Sequence, residues 1–183
     1  MNHSTYTTEH NRLFGDLQTA LRADMAKISV QANGGRSILF VYPPIDEALY
    51  IDEAKSLLAD ECSFIDLRKL YVQFIDEYGV NNFKETFEEF GTELFASNNF
   101  DNTFLSLILD RIQSSYDVNK IPVLIHTGVI YGMGFRNTDI MEKPFIMTSK
   151  IPLVVFYPAT IDNDKIMFLG KEVASKYRCI VIK

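Results

Sequence analysis

The run Ser37-Ile-Leu-Phe-Val-Tyr-Pro-Pro44 decides the fold of this chain, and two later runs repeat its form: Ile121-Pro-Val-Leu-Ile-His-Thr-Gly128 and Ile151-Pro-Leu-Val-Val-Phe-Tyr-Pro158. Each is a short block of β-branched, aliphatic and aromatic residues without polar alternation, stopped by a proline or a polar corner. Strands written this way are covered on both faces, as in a parallel sheet, whereas a half-exposed antiparallel strand alternates. Ligands of such sheets sit outside the carboxyl ends of the strands. The corners after Tyr42, Ile125 and Tyr157 are therefore where function is sought.

Helical stripes fill the intervals. Leu13, Leu17, Leu21, Met25 and Ile28 recur at helical spacing and predict one amphipathic helix, ended by Asn33-Gly34-Gly35. Asp46 stands where it would cap a helix running to Ala59, and Ser63–Asp66 is a short second strand. Leu67, Leu70, Tyr71, Phe74, Ile75 and Tyr78 follow the i, i+3, i+4, i+7 pattern closely, and Gly79 closes that helix. Phe83, Phe87, Phe90 and Leu94 mark a short helix. Phe104, Leu105, Ile108, Leu109 and Ile112 mark another, with capping residues between Asp101 and Thr103.

Beyond the third strand, Ile121–His126, the stretch Tyr131 to Met141 reads as helical, although Gly132 and Gly134 weaken it. After the fourth strand, Ile151–Tyr157, come a turn at Ile161–Asp164, a short strand or extended arm at Lys165–Leu169, a helical turn at Lys171–Lys176 and a final strand at Arg178–Ile182. The alternation predicts an α/β fold: an open, mostly parallel sheet of about five strands with helices on both faces, Rossmann-like but without a glycine-rich loop. One α/β domain is expected over residues 11–183, with a helical insertion around 67–116, and the polar, Thr-rich residues 1–10 are expected to be loose. With 183 residues and 47% hydrophobic content, a single full core suffices.

A net charge of −6 repels phosphate backbones and anionic lipid, so no direct nucleic-acid binding and no membrane association are expected. No signal peptide and no 18-residue apolar segment is evident, and the chain reads as a reduced, cytoplasmic protein. Cys62 and Cys179 fall at predicted strands, where thiols behave as small core hydrophobes. Their spacing fits neither a zinc nor a redox site.

The corners carry the candidate chemistry. A phosphate cradle needs glycines after the first strand so that several backbone N–H groups converge at a helix N-terminus. Here Tyr42-Pro43-Pro44 removes two such donors, and Tyr42 is the candidate binding residue at this corner. Asp66 ends strand two, where a ribose-binding acid belongs in a Rossmann unit; without the glycine loop it reads as the cap of the helix at Leu67. His126-Thr127-Gly128 offers an imidazole, a hydroxyl and a flexible glycine at a central corner. A catalytic role for His126 would need an orienting carboxylate and a second partner, and the alternatives are a hydrogen-bonded structural histidine or an interface residue. Arg136, beyond two glycines, has the chemistry to hold an anion or to form a surface ion pair. Tyr157 supplies a phenol at the neighbouring corner, although Tyr before Pro also reads as a strand stop. Asp162-Asn163-Asp164 lacks the glycine and terminal glutamate of a calcium loop and reads as a turn. No residue is assigned as catalytic, and no metal or cofactor is expected: Walker-A, G-x-S-x-G and H-E-x-x-H motifs are absent.

Taken in order, several of these pieces resemble the BrxB-like family, a small accessory component of BREX phage-defence systems. They are Tyr42-Pro43-Pro44 with Asp46-Glu47, Thr127-Gly128-Val129 with Tyr131 and Arg136, Pro152 through Pro158, Phe168-Leu169-Gly170, and Tyr177-Arg178. The chain departs from that pattern at Ala159, at Asn163-Asp164 and at Asn137-Thr138-Asp139. The resemblance implies a cytoplasmic, non-catalytic subunit working with other BREX proteins, chiefly the alkaline-phosphatase-like component, in a system that methylates host adenines and blocks phage DNA replication. The competing expectation is a small-molecule or nucleotide-binding enzyme centred on His126, Thr127 and Arg136.

Overall fold

The computed structural model describes residues 3–174 and 178–183. Two helices, α1 (His3–Leu21) and α2 (Met25–Gln31), precede β1 (Ser37–Tyr42). A 3-10 turn at Pro44–Asp46 leads into α3 (Glu47–Leu58) and β2 (Cys62–Asp66). The helical insertion is α4 (Leu67–Tyr78), α5 (Val80–Phe90), α6 (Glu93–Ala96) and α7 (Phe104–Asp117). After β3 (Ile121–Ile125) come a 3-10 turn at Thr127–Ile130, then α8 (Asn137–Met141) and α9 (Pro144–Met147). The chain ends with β4 (Leu153–Asp162), β5 (Lys165–Phe168), β6 (Glu172–Val173) and β7 (Cys179–Ile182).

The three apolar runs form the α/β fold their composition predicts. Five strands lie parallel in the order β2-β3-β4-β1-β7, and every residue of β1 is buried. Because side chains alternate across a strand, Ile38, Phe40 and Tyr42 face one layer and Leu39 and Val41 the other. The first layer is α1 and α3, which bury Leu13, Phe14, Leu17, Tyr50, Ile51 and Ala54. The second is the insertion with α8 and α9, contributing Leu70, Phe74, Phe104, Ile108, Ile140 and Ile146.

This topology sets where a ligand or partner would meet the sheet. From β1 the chain crosses through α3, on one face, to β2 at the far edge. The connections leaving β2 and β3 return on the opposite face. The reversal falls beside β1, so the crevice at the carboxyl ends of β1 and its neighbour β4 is the topological switch point.

Several sequence expectations are corrected. Helix α1 begins at His3, inside the stretch expected to be loose, and the His10 ring packs 4.9 Å from Phe14 and 4.7 Å from Tyr50. The single helix expected over Leu13–Ile28 is two, because Asp24 caps α2 by accepting from the Ala26 N–H. Tyr131–Met141 is helical only from Asn137, since Gly132 and Gly134 adopt left-handed φ of 79° and 78°. Residues Glu172–Val173 pair as a strand with β5 and the Ala174 N–H donates to the Ile166 carbonyl, so the helical turn expected at Lys171–Lys176 is extended there; its residues 175 and 176 lie outside the described residues. Strand β4 does not stop at Pro158. That residue is the last to pair with β1, opposite Tyr42, and its carbonyl then accepts from Leu169 N–H, so its missing N–H falls where the strand changes partners. Asn163 and Asp164, at φ 46° and 64°, form the tight turn between β4 and β5. Among the described residues no helix is long and apolar enough to cross a membrane. Both cysteines are free and buried.

Candidate functional site

At the switch point the chain builds an apolar cup. Pro43 and Pro44 follow β1, and neither offers an N–H. The cup of about 540 Å³ is walled mainly by Leu13, Val41, Tyr42, Pro43, Tyr50 and Ile161, with Ile45 at its rim and the charged Glu9, Asp46 and Lys183 also lining it. Ile45 is 91% exposed and Ile161 52%. The Tyr42 ring stacks on Tyr50 at 5.4 Å, and its hydroxyl donates to Glu47 Oε1 at 2.7 Å. Burial first, and then that hydrogen bond beside the carboxylate, raise the phenol's pKa well above the ordinary value. Tyr42 is thus a wall of the cup with its polar end already occupied.

The His126-Thr127-Gly128 corner is a structural tie. His126 is 7% exposed and sits in the left-handed region at φ 57°. Its Nδ1 lies 2.9 Å from Asp66 Oδ1. The same Asp66 oxygen accepts from the Arg68 and Lys69 N–H groups at 3.0 and 3.4 Å, so Asp66 caps α4 as its position in the sequence predicts. Burial pulls the Asp66 pKa up, but the His126 charge and hydrogen bond and the two cap bonds outweigh it and leave the carboxyl below its usual range. Thr127, fully buried, donates its hydroxyl to the Phe156 carbonyl at 2.6 Å and laces β3 to β4. Gly128 approaches Leu169 and Pro158, which pack over the turn. The orienting carboxylate that the sequence did not specify is therefore Asp66, 60 residues away. What could have found it is adjacency: Asp66 pairs with Ile125, the residue before His126.

A second concavity lies between the 127–137 segment and the β4–β6 hairpin. It encloses about 290 Å³ and is lined by Tyr131, Arg136, Asn137, Tyr157, Phe168 and Glu172. Phe168 stacks on Tyr157 at 4.6 Å and meets Tyr131 at 6.4 Å. The loop carrying Arg136 is fixed at both ends. Gly134 has positive φ, and a Cβ there would come within 3.0 Å of Thr92. The Arg136 N–H donates to Asp139 Oδ2 at 2.6 Å at the start of α8. Asn137, 2% exposed, has an Oδ1 that meets no hydrogen-bond donor. Among the described residues no cluster of His, Cys, Asp and Glu has metal-binding geometry.

Of the sequence candidates, then, Arg136 and Tyr157 converge on one crevice, Tyr42 stands at the apolar cup, and His126, Thr127 and Gly128 form the corner that joins β2, β3 and β4. Asn137 was not singled out by the sequence. A lone Asn at a helix start carries only a capping signal, and its burial depends on tertiary packing. Comparison with family models, curated proteins and solved structures finds no match to this chain.

Proposed function

We propose that the protein is an accessory interaction subunit of a bacterial BREX phage-defence complex, non-catalytic itself, which docks the alkaline-phosphatase-like component through the apolar cup at the carboxyl ends of β1 and β4. The observation that carries this reading is the character of the switch point: the Pro43-Pro44 corner removes two N–H donors where a nucleotide-binding sheet presents them, and the cup beside it is lined mainly by apolar side chains, with Glu9, Asp46 and Lys183 also in its lining. Exposed aliphatic side chains around a concave apolar surface are the usual mark of a protein contact. The ordered resemblance of Tyr42-Pro43-Pro44 and the later corners to the BrxB-like family supplies the partner.

Isothermal titration of the phosphatase-like component with the protein tests it. Binding at micromolar concentration is expected, and Ile45→Glu, which puts a charge into the contact, should weaken it at least about thirtyfold. Absence of heat with the wild-type protein, or an unchanged affinity for Ile45→Glu, would overturn the reading.

The enzyme alternative centred on His126 finds less support. The imidazole is nearly buried and held by Asp66, and the Thr127 hydroxyl is committed to the Phe156 carbonyl.

A further inference from the structure

Strand β2 ends the strand order, and its outer edge meets no other described strand. The ladder to β3 tells which backbone groups lie on that edge. The Ile121 N–H donates to the Glu61 carbonyl at 3.0 Å, and with Cys62 opposite Ile121 in a parallel pair this turns the N–H and C=O groups of Ser63 and Ile65 toward β3. Those of the alternate residues turn outward, so the Cys62 carbonyl, both Phe64 groups and the Asp66 N–H face the open edge. Such an edge is a template for a further strand.

A groove of about 430 Å³ follows this edge, opening on residues 63–66 between helices of the two layers. Its two faces differ. Phe64 is half-buried and packs toward the α3 layer, from which Lys55 reaches the groove. Ile65 packs toward the insertion, whose α4 and α7 bring Lys69 and Arg111. All three cations are exposed, and none makes an ion pair among the described residues; Arg111 donates instead to the Gln73 side-chain carbonyl at 3.2 Å. Asp66, the acid that lines the groove, is engaged by His126 and the α4 cap. In a chain of net charge −6 this edge is a positive strip.

Charge selects the occupant. A second copy paired edge to edge would bring Lys55, Lys69 and Arg111 against their own images, which is how lysines guard an edge from self-association. An acidic strand meets complementary charge instead.

We propose that the β2 edge is a docking site for an extended acidic segment of a partner protein, which adds a strand beside β2. The segment's residue opposite Phe64 exchanges hydrogen bonds with its N–H and carbonyl and packs on its ring. The acidic residues on either side fall on the other face, toward Lys69 and Arg111.

The probe is the blocked hexapeptide Glu-Val-Glu-Val-Glu-Val. One control replaces each Glu by Gln, keeping the N–H groups and removing the charge. The other keeps the acidic sequence but is N-methylated at its two central residues, which removes a ladder donor whichever way the strand faces. Each is titrated into the full-length protein up to about 10 mM, a range that covers millimolar Kd values, with backbone amide NMR shifts and hydrogen exchange as readouts. In the free protein the Phe64 amide should exchange at least about tenfold faster than those of Ser63 and Ile65. The acidic peptide should shift amides 62–66 saturably and slow Phe64 exchange at least about tenfold. Both controls should bind at least about tenfold more weakly. The double variant Lys69→Glu/Arg111→Glu alters two exposed side chains and should keep the amide spectrum away from the groove while weakening the acidic peptide at least about tenfold. The proposal is overturned if the Phe64 amide is already as protected as its neighbours, if the acidic peptide gives no saturable shifts or leaves Phe64 exchange unchanged, or if a control peptide or the double variant binds as tightly. Because neither the apolar cup nor the phosphatase-like component enters this experiment, its failure is distinct from failure of the docking reading.

Discussion

Asp66→Ala should destabilise the protein by about 2–4 kcal/mol. Asp66 serves two jobs with one oxygen: it caps α4 through the Arg68 and Lys69 N–H groups and holds His126 Nδ1 at 2.9 Å. Loss of a cap costs about 1 kcal/mol, and loss of a hydrogen bond to a charged group in a site only 14% exposed costs about 1.5–3 kcal/mol. Asp66→Asn should cost less, about 1 kcal/mol, because Asn caps as well as Asp and keeps an acceptor for the imidazole. Urea denaturation at pH 7 reads both values, and thermal unfolding of Asp66→Ala should fall by roughly 5–12 °C for a chain of this size. The pH dependence has a definite sign. The folded carboxyl lies below its ordinary value of 3.8, so its contribution is complete above that value and disappears as pH falls through the lower, folded one. The gap between wild type and Asp66→Asn should accordingly close below pH 3.8. If Asp66→Ala stays within about 0.5 kcal/mol of wild type, the tie between β2, α4 and β3 is not what holds this corner.

Three other substitutions or measurements probe the same frame. Gly35→Ala should cost about 3 kcal/mol or more, since a Cβ there would stand 1.6 Å from the Arg178 carbonyl oxygen; denaturant unfolding measures it, and a neutral result would mean that the two segments are not so close. Thr127→Val, which keeps the shape and removes the hydroxyl bonded to Phe156, should lose about 1–3 kcal/mol by the same assay. Burial pushes the Cys62 thiol up to about 11 and the Cys179 thiol up to about 12, so at pH 8 a thiol-specific disulfide reagent should titrate neither in the native protein and both in urea.

What the sequence revealed follows from the range of the interactions that decide each element. β1 and α4 have the bounds their apolar patterns predict, because a continuous run and a 3.6-residue stripe are local signals. The break between α1 and α2 was hidden, since Leu21, Met25 and Ile28 keep helical spacing across it and the only cue is the capping side chain of Asp24. Strand β4 runs through Pro158 because a proline is tolerated where pairing passes from β1 to β5, a fact of register rather than composition. The convergence of Arg136 and Tyr157 on one crevice, and the pairing of Asp66 with His126, depend on strands that are neighbours in space and distant in sequence. The apolar nature of the cup was foreshadowed by Pro43 and Pro44. Its walls from α1 and from Ile161 needed the fold.

The carboxyl ends of β1 and β4 are proposed to form a protein contact. Size-exclusion chromatography of the protein mixed with the alkaline-phosphatase-like component at micromolar concentration tests it most directly. The wild type should give a co-eluting complex, and folded Ile45→Glu should give separate peaks. Separate elution of the wild-type proteins, or a complex undiminished by Ile45→Glu, would contradict it.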